Sequence, residues 1–183
     1  MVSGLVLLVS SWIVGIPYNF NRIGKVIDEF NGVKVHYNGN FSHVGDRNLS
    51  KSGYNIGLKW QCVEFVKRYY LEVYRHEMPN TQGNAIDYID SKLEDAEFNR
   101  ERGLNQFSNP SKSAPKIGEI VVFNEGFGHL AIVSKVFENK IEIIQQNVGY
   151  STRDYINLKE ENNRYFLNHP QVIGRLGLNE HAP

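Results

Sequence analysis

Beyond residue 116 the chain breaks into short β-prone runs, and this pattern constrains the fold most. The runs are Ile117 to Phe123, Leu130 to Val136, Ile141 to Gln146, Tyr165 to Leu167 and Val172 to Leu176. Loops containing Gly, Asn or Pro separate them. Ahead of them lies a helix signal. Cys62, Phe65, Val66, Tyr69 and Val73 fall at i, i+3, i+4, i+7 and i+11, which is one helical face. Glu64, Lys67, Arg68, Glu72 and Arg75 take the other side, with Glu64 in reach of Lys67 or Arg68. Met78-Pro79 closes that region, and Ala85, Ile86, Tyr88, Ile89 and Leu93 predict a second, shorter helix. Helices first and strands later predict an α+β domain, with N-terminal helices packed on an antiparallel β-sheet.

The remaining segments read as connections. Asn31-Gly32 is a turn, followed by a short strand from Val33 to Tyr37 that closes at Asn38-Gly39. Residues 39 to 58 read as a long loop rich in Gly, Asn and Ser, a kind of segment that often carries function. Residues 99 to 116 are polar, contain Pro110 and Pro115, and read as a connector.

Composition excludes several classes. The chain has 183 residues, 41% of them hydrophobic, enough for one domain with a proper core. Lys plus Arg balance Asp plus Glu at 20 each, which argues against a general nucleic-acid binder. The six histidines are scattered and no HExxH-type pair occurs, so neither a metal nor another cofactor is expected. The first Lys or Arg is Arg22, and residues 1–16 carry no charge. They read as a signal- or anchor-like segment ahead of a single domain spanning 17–183, although the basic start of a secretory signal is absent. The alternative is a buried N-terminal strand or helix. The first reading implies a cell-envelope or secreted protein, with membrane association through residues 1–16; the second leaves a cytoplasmic one.

With one cysteine, no internal disulfide can form. A lone cysteine is usually a small buried hydrophobe. Cys62, however, falls at the first turn of its helix, where free N–H groups and the helix dipole favour a thiolate and can hold an oxyanion. His129 follows Gly126-Phe127-Gly128 and opens an apolar strand, which suits a catalytic base at a strand mouth with glycines that let substrate approach. His36, His43, His76, His169 and His181 read as surface histidines. A third residue must hold the imidazole, and Gln145 and Asn147 are the candidates. They share a strand face with Ile141 and Ile143, while Gln146 points the other way.

The segment Gly57-Leu58-Lys59-Trp60-Gln61-Cys62-Val63-Glu64-Phe65-Val66-Lys67-Arg68 resembles the nucleophile segment of the CHAP family, the cysteine- and histidine-dependent amidohydrolases/peptidases. Pro115 to Phe123, Gly128-His129-Leu130-Ala131-Ile132-Val133 and Ile144-Gln145-Gln146-Asn147 resemble its later segments, in the family's order, so that the likeness runs over residues 32 to 177. Lys59 to Phe65 and Gln146-Asn147-Val148 are most similar to the amidase domains that act on glutathionylspermidine. The resemblance implies a papain-like α+β fold and amide hydrolysis through a thioester. It implies Cys62, His129 and Gln145 as catalytic residues, Gln61 and Asn147 as oxyanion or orienting residues, and Lys67, Trp60 and Gly128 as substrate contacts. The implied substrates are peptidoglycan peptides first, and small conjugates such as glutathionylspermidine second. Two positions depart from the family: Gln145 stands where Glu is common, and Lys67 where the glutathionylspermidine amidases tend to have Arg. A neutral Gln145 also leaves open a catalytically silent wall- or partner-binding module.

His129 and Gln145 should lie on neighbouring antiparallel strands. Both numbers are odd, so the pairing sum must be even for the two to share a face. A two-residue turn at Glu138-Asn139 makes the sum odd. The expectation is therefore a three-residue loop, Phe137-Glu138-Asn139, or a bulge that restores the parity.

Overall fold

The structure is a computed structural model, and it describes residues 20–40 and 42–178. The apolar segment 1–16 and His181 lie outside the described residues. The first hairpin joins β1 (Val26–Phe30) to β2 (Val33–His36). Asn31 and Gly32 both adopt positive φ, 50° and 82°, as a two-residue hairpin turn requires. A second short hairpin, β3 (Arg47–Leu49) with β4 (Asn55–Leu58), occupies the stretch read from sequence as a long loop.

One α-helix occurs among the described residues, α1 (Cys62–Tyr74). It ends where Arg75 turns left-handed at φ 56° and caps Leu71 and Tyr70 through its N–H. Then follow β5 (Phe98–Asn99), β6 (Leu104–Ser108), β7 (Ile120–Phe123), β8 (His129–Val136), β9 (Lys140–Gln145), β10 (Arg153–Glu161), β11 (Arg164–Asn168) and β12 (Val172–Gly177). These eight strands form one antiparallel sheet in the order β11-β10-β9-β8-β7-β12-β6-β5. A bridge from Ser111 to Tyr165 draws the segment after β6 against β11, so the sheet curls.

The molecule is therefore mostly β, and the expectation of an α+β domain with N-terminal helices is corrected. Among the described residues four strands precede the helix. The second helix expected around residues 85 to 93 is one 3-10 turn, Ala85–Tyr88. An Asn84–Asp87 capping box starts the turn, and Ile89 is already extended, at φ −96° and ψ 125°. The connector at 99 to 116 contains β6, and the most polar strand, β10, carries too few apolar residues to be read from sequence.

Both faces of the sheet are covered. Ile120, Val122, Leu130, Ile132 and Ile144 pack with Cys62, Phe65, Val66 and Tyr69 of α1. On the other face Val121, Ala131, Val133, Ile141 and Ile143 pack with Ile156 and Leu167 of the curled edge. The even–odd alternation is the strand period of two. The helix is buried on its polar side as well: Glu64, Lys67 and Arg68 are all buried. Gly57 lets β4 come this close, since a Cβ there would lie 3.1 Å from the Glu64 Cα.

Candidate active site

Cys62 is the first residue of α1. Its N-cap, Gln61, is extended at φ −77° and ψ 162° and makes no side-chain cap. The first-turn N–H groups are thus left to other partners. The Cys62 sulfur accepts the N–H of Val63 in the same turn and the N–H of Leu130 from β8. It is also hydrogen-bonded to His129. His129 opens β8 and donates from Nε2 to Gln145 Oε1 at 2.9 Å, which leaves Nδ1 as the ring nitrogen for the sulfur. Cys62 is only 7% exposed, while His129 is half-buried at the cleft floor.

Burial pushes the Cys62 thiol up, but the charge and hydrogen bond of His129, with the two N–H donors, outweigh it, and the net shift is down. Burial pushes His129 down, but Cys62, the Gln145 hydrogen bond and Glu125 outweigh it, and the net shift is up. Opposite shifts in two touching groups favour a thiolate–imidazolium pair.

The register that aligns His129 with Gln145 comes from a bulge. The turn between β8 and β9 has two residues, Glu138 and Asn139, with Phe137 N–H on Lys140 O at 2.8 Å. Beside the turn the pairs Val136–Ile141 and Lys135–Glu142 sum to an odd number; beyond Ser134 the pairs Val133–Ile143 and Ala131–Gln145 sum to an even one. Ser134 is the inserted residue. The three-residue loop is thus corrected to a two-residue turn, and the bulge restores the parity.

Gln145 and Gln146 point to opposite faces and bind different parts of the site. Gln146 Nε2 donates to Gln61 O at 3.1 Å and to Glu64 Oε2 at 2.9 Å, and its Oε1 accepts the His36 N–H at 2.8 Å. Arg68 Nε pairs with Glu64 at 2.7 Å. This network pins the start of α1 to β9, and sequence reasoning missed it. Its signal was the polar Gln146, directly after β9, on the face opposite Gln145.

The other expected site residues separate. Gln61 lines the cleft; its side-chain N–H donates to His43 O, and its Oε1 accepts Asn147 Nδ2 at 2.8 Å. Asn147 also lines the cleft, and its Oδ1 accepts Asn38 Nδ2 at 2.6 Å. Gly128 lines the cleft with Cys62 and holds φ at 85°, where a Cβ would lie 2.3 Å from the Ile86 N. Lys67 is not on the cleft. It is 1% exposed, donates to the carbonyls of Asn55 and Thr81, and is pushed by burial down to about 8. Trp60 is also off the cleft, stacked on His36 with centroids 3.8 Å apart. His36 is thus half-buried rather than a surface residue, and His169 lines the cleft.

The cleft has two arms, of about 650 Å³ and about 490 Å³, that share Gln61, Cys62, Phe127 and Gly128. The larger contains His129 and Gln145; the smaller runs past Val63 and β4. Phe127 is 80% exposed between them. Among the described residues no group of three His, Cys, Asp or Glu side chains converges as a metal site would require.

A cysteine at a helix start, a histidine at a strand mouth and an amide orienting it form an arrangement suited to acyl transfer, and the sequence comparisons point to a family. The model of the CHAP domain matches residues 53–147, and the chain belongs to that family. Its chemistry makes this chain a hydrolase acting on amide bonds. Among curated proteins it is similar to the glutathionylspermidine synthase of Crithidia fasciculata, 33% identical over 116 residues. It is also similar to the bifunctional glutathionylspermidine synthetase/amidase of Escherichia coli K12, 31% identical over 102 residues. Each match covers 52% of this chain but only 14% and 16% of those proteins, so the chain spans a small part of their length.

Proposed function

We propose that the protein is a cysteine amidase in which Cys62 attacks the amide carbonyl, His129 moves the protons and Gln145 orients the imidazole. The observation that carries this reading is the chain of contacts from Cys62 through His129 to Gln145, with pKa shifts of opposite sign in the first two. The thiolate adds to the carbonyl carbon, and the oxyanion is met by the backbone N–H of Cys62 at the positive end of α1. His129 then protonates the departing nitrogen, the C–N bond breaks and a thioester remains. His129 next takes a proton from water, which attacks the thioester and frees the acid and the Cys62 thiolate.

The substrate is a peptide-like amide, because the cleft is open on both sides of the sulfur and admits a chain running through it. We take peptidoglycan peptides in the cell envelope as the first substrate class. A glutathionylspermidine-type conjugate is the second, supported by the names of the similar proteins. Purified protein should release soluble fragments from peptidoglycan, or spermidine from glutathionylspermidine, and the Cys62→Ala variant should do neither. Wild-type protein that cleaves neither substrate, with Cys62 no more reactive than a free thiol at pH 6, would leave the silent binding module as the better reading.

A further inference from the structure

We propose that the two arms of the cleft select opposite charges, and that Arg47 recognises a carboxylate on the acyl part of the substrate. The inference rests on the reading of Cys62 as an amide-cleaving nucleophile. The direction of the substrate follows from proton transfer. The departing amine receives its proton from His129, so it occupies the arm that His129 and Gln145 line. The acyl group stays on the sulfur and occupies the other arm, beside Val63 and the start of α1.

Among the described residues lining that acyl arm, Arg47 is the one Lys, Arg, Asp or Glu. It is exposed, and its Nη1 donates to Asn55 Oδ1 at 2.9 Å, which steadies the guanidinium. It forms no ion pair among the described residues. A planar guanidinium held in this way suits bidentate binding of a carboxylate. The amine arm has the reverse character. Glu125 and Asp154 line it with Phe123 and Tyr155, and among the described residues no Lys or Arg does. It suits an amine with an apolar stem and a second, positive end. The preferred substrate class is therefore an amide joining a carboxylate-bearing acyl group to a basic amine. Polyamine conjugates and peptides cross-linked through a basic side chain share this chemistry.

The test compares succinyl-Ala-Gly and acetyl-Ala-Gly chloromethyl ketones, which place their acyl chain in the acyl arm and alkylate Cys62. Wild-type protein should react at least tenfold faster with the succinyl reagent. Arg47→Gln should bring that ratio near one by slowing the succinyl reagent, and Arg47→Glu should invert it. A wild-type ratio near one, or a ratio unchanged in Arg47→Gln, overturns the proposal while leaving the nucleophile in place. Alkylation of Cys62 by neither reagent faster than a free thiol removes the amidase reading, and the proposal with it. For the amine arm, succinyl-Ala-Gly amides of 1,4-diaminobutane and of the lysine ε-amine should be cut faster than that of butylamine. Asp154→Asn should narrow the difference, and equal rates for all three amides overturn this half. The order of diaminobutane and lysine tells a polyamine conjugate from a peptide cross-link.

Discussion

His129 and Gln145 meet across two strands joined by a two-residue turn, and they do so because β8 contains one residue more than its partner. Ser134 is that residue, and its hydroxyl donates to Glu142 Oε1 at 2.8 Å and to Glu142 O at 3.1 Å. A register slip of one residue moves a strand's whole set of side chains to the other face. The alignment of His129 with Gln145, the proposed base and orienting amide, thus depends on a residue remote from both.

Deleting Ser134 is expected to restore a regular ladder and put His129 and Gln145 on opposite faces. Amide hydrolysis should then fall at least ~10²-fold. Adding one residue to the Glu138-Asn139 turn of the deletion variant should return the parity and part of the activity. Circular dichroism would separate this effect from unfolding. A deletion variant that keeps its rate would show that the bulge does not set the alignment.

Gln145 should shape the pH dependence. Its hydrogen bond is among the contacts that raise the His129 pKa, and His129 in turn lowers that of Cys62. In the proposed mechanism activity needs thiolate and imidazolium together. It should rise as pH climbs through the lowered cysteine value and fall as pH passes the raised histidine value. Gln145→Ala should narrow this bell from both sides and cost about 10²-fold at its maximum through lost orientation. Gln145→Glu should move the alkaline limb upward, because a carboxylate stabilises imidazolium more strongly than an amide. The full pH profile of kcat/KM decides the matter.

Gly128→Ala should damage both fold and activity. The position holds φ at 85°, and a Cβ would meet the Ile86 backbone at 2.3 Å. Either the 3-10 turn or the start of β8 must move, and His129 moves with β8. A loss of ~2 kcal/mol or more is expected from strain and displaced packing, read as a fall in Tm. A wild-type Tm and rate would contradict the close approach.

Glu142 should give the fold an acid limit. Burial pushes its carboxyl up, but hydrogen bonds from Ser134, Arg153, Lys135 and Tyr155 outweigh it and bring it down to about 2. A carboxylate lowered in this way stabilises the fold above its unfolded value of about 4.3. That contribution fades as pH falls through the folded value. Glu142→Gln should cost about 2 kcal/mol near neutrality. The Tm difference from wild type should hold from pH 7 to pH 5 and shrink towards pH 2. A difference independent of pH would show that charge is not its source.

Local pattern alone determined much of the site. The apolar spacing from Cys62 to Val73 is legible because a helix repeats every 3.6 residues, and it put the cysteine at a helix start. Strand alternation read along the sequence from Ile141 put Gln145 and Asn147 on one face and Gln146 on the other. The odd numbers of His129 and Gln145 demanded an even pairing sum. Only the tertiary structure decided how that sum arises, because a turn and a bulge satisfy the same parity and the choice depends on what Ser134 meets across the ladder. The same limit hid the burial of Glu64, Lys67 and Arg68. Charged residues on a helix read as a solvated face until Gln146 and Asn48 answer Glu64, and the carbonyls of Asn55 and Thr81 answer Lys67. The early hairpins and the polar strand β10 were obscured likewise. A strand is stabilised by its neighbours, and those neighbours lie too far along the chain for local periodicity to register them.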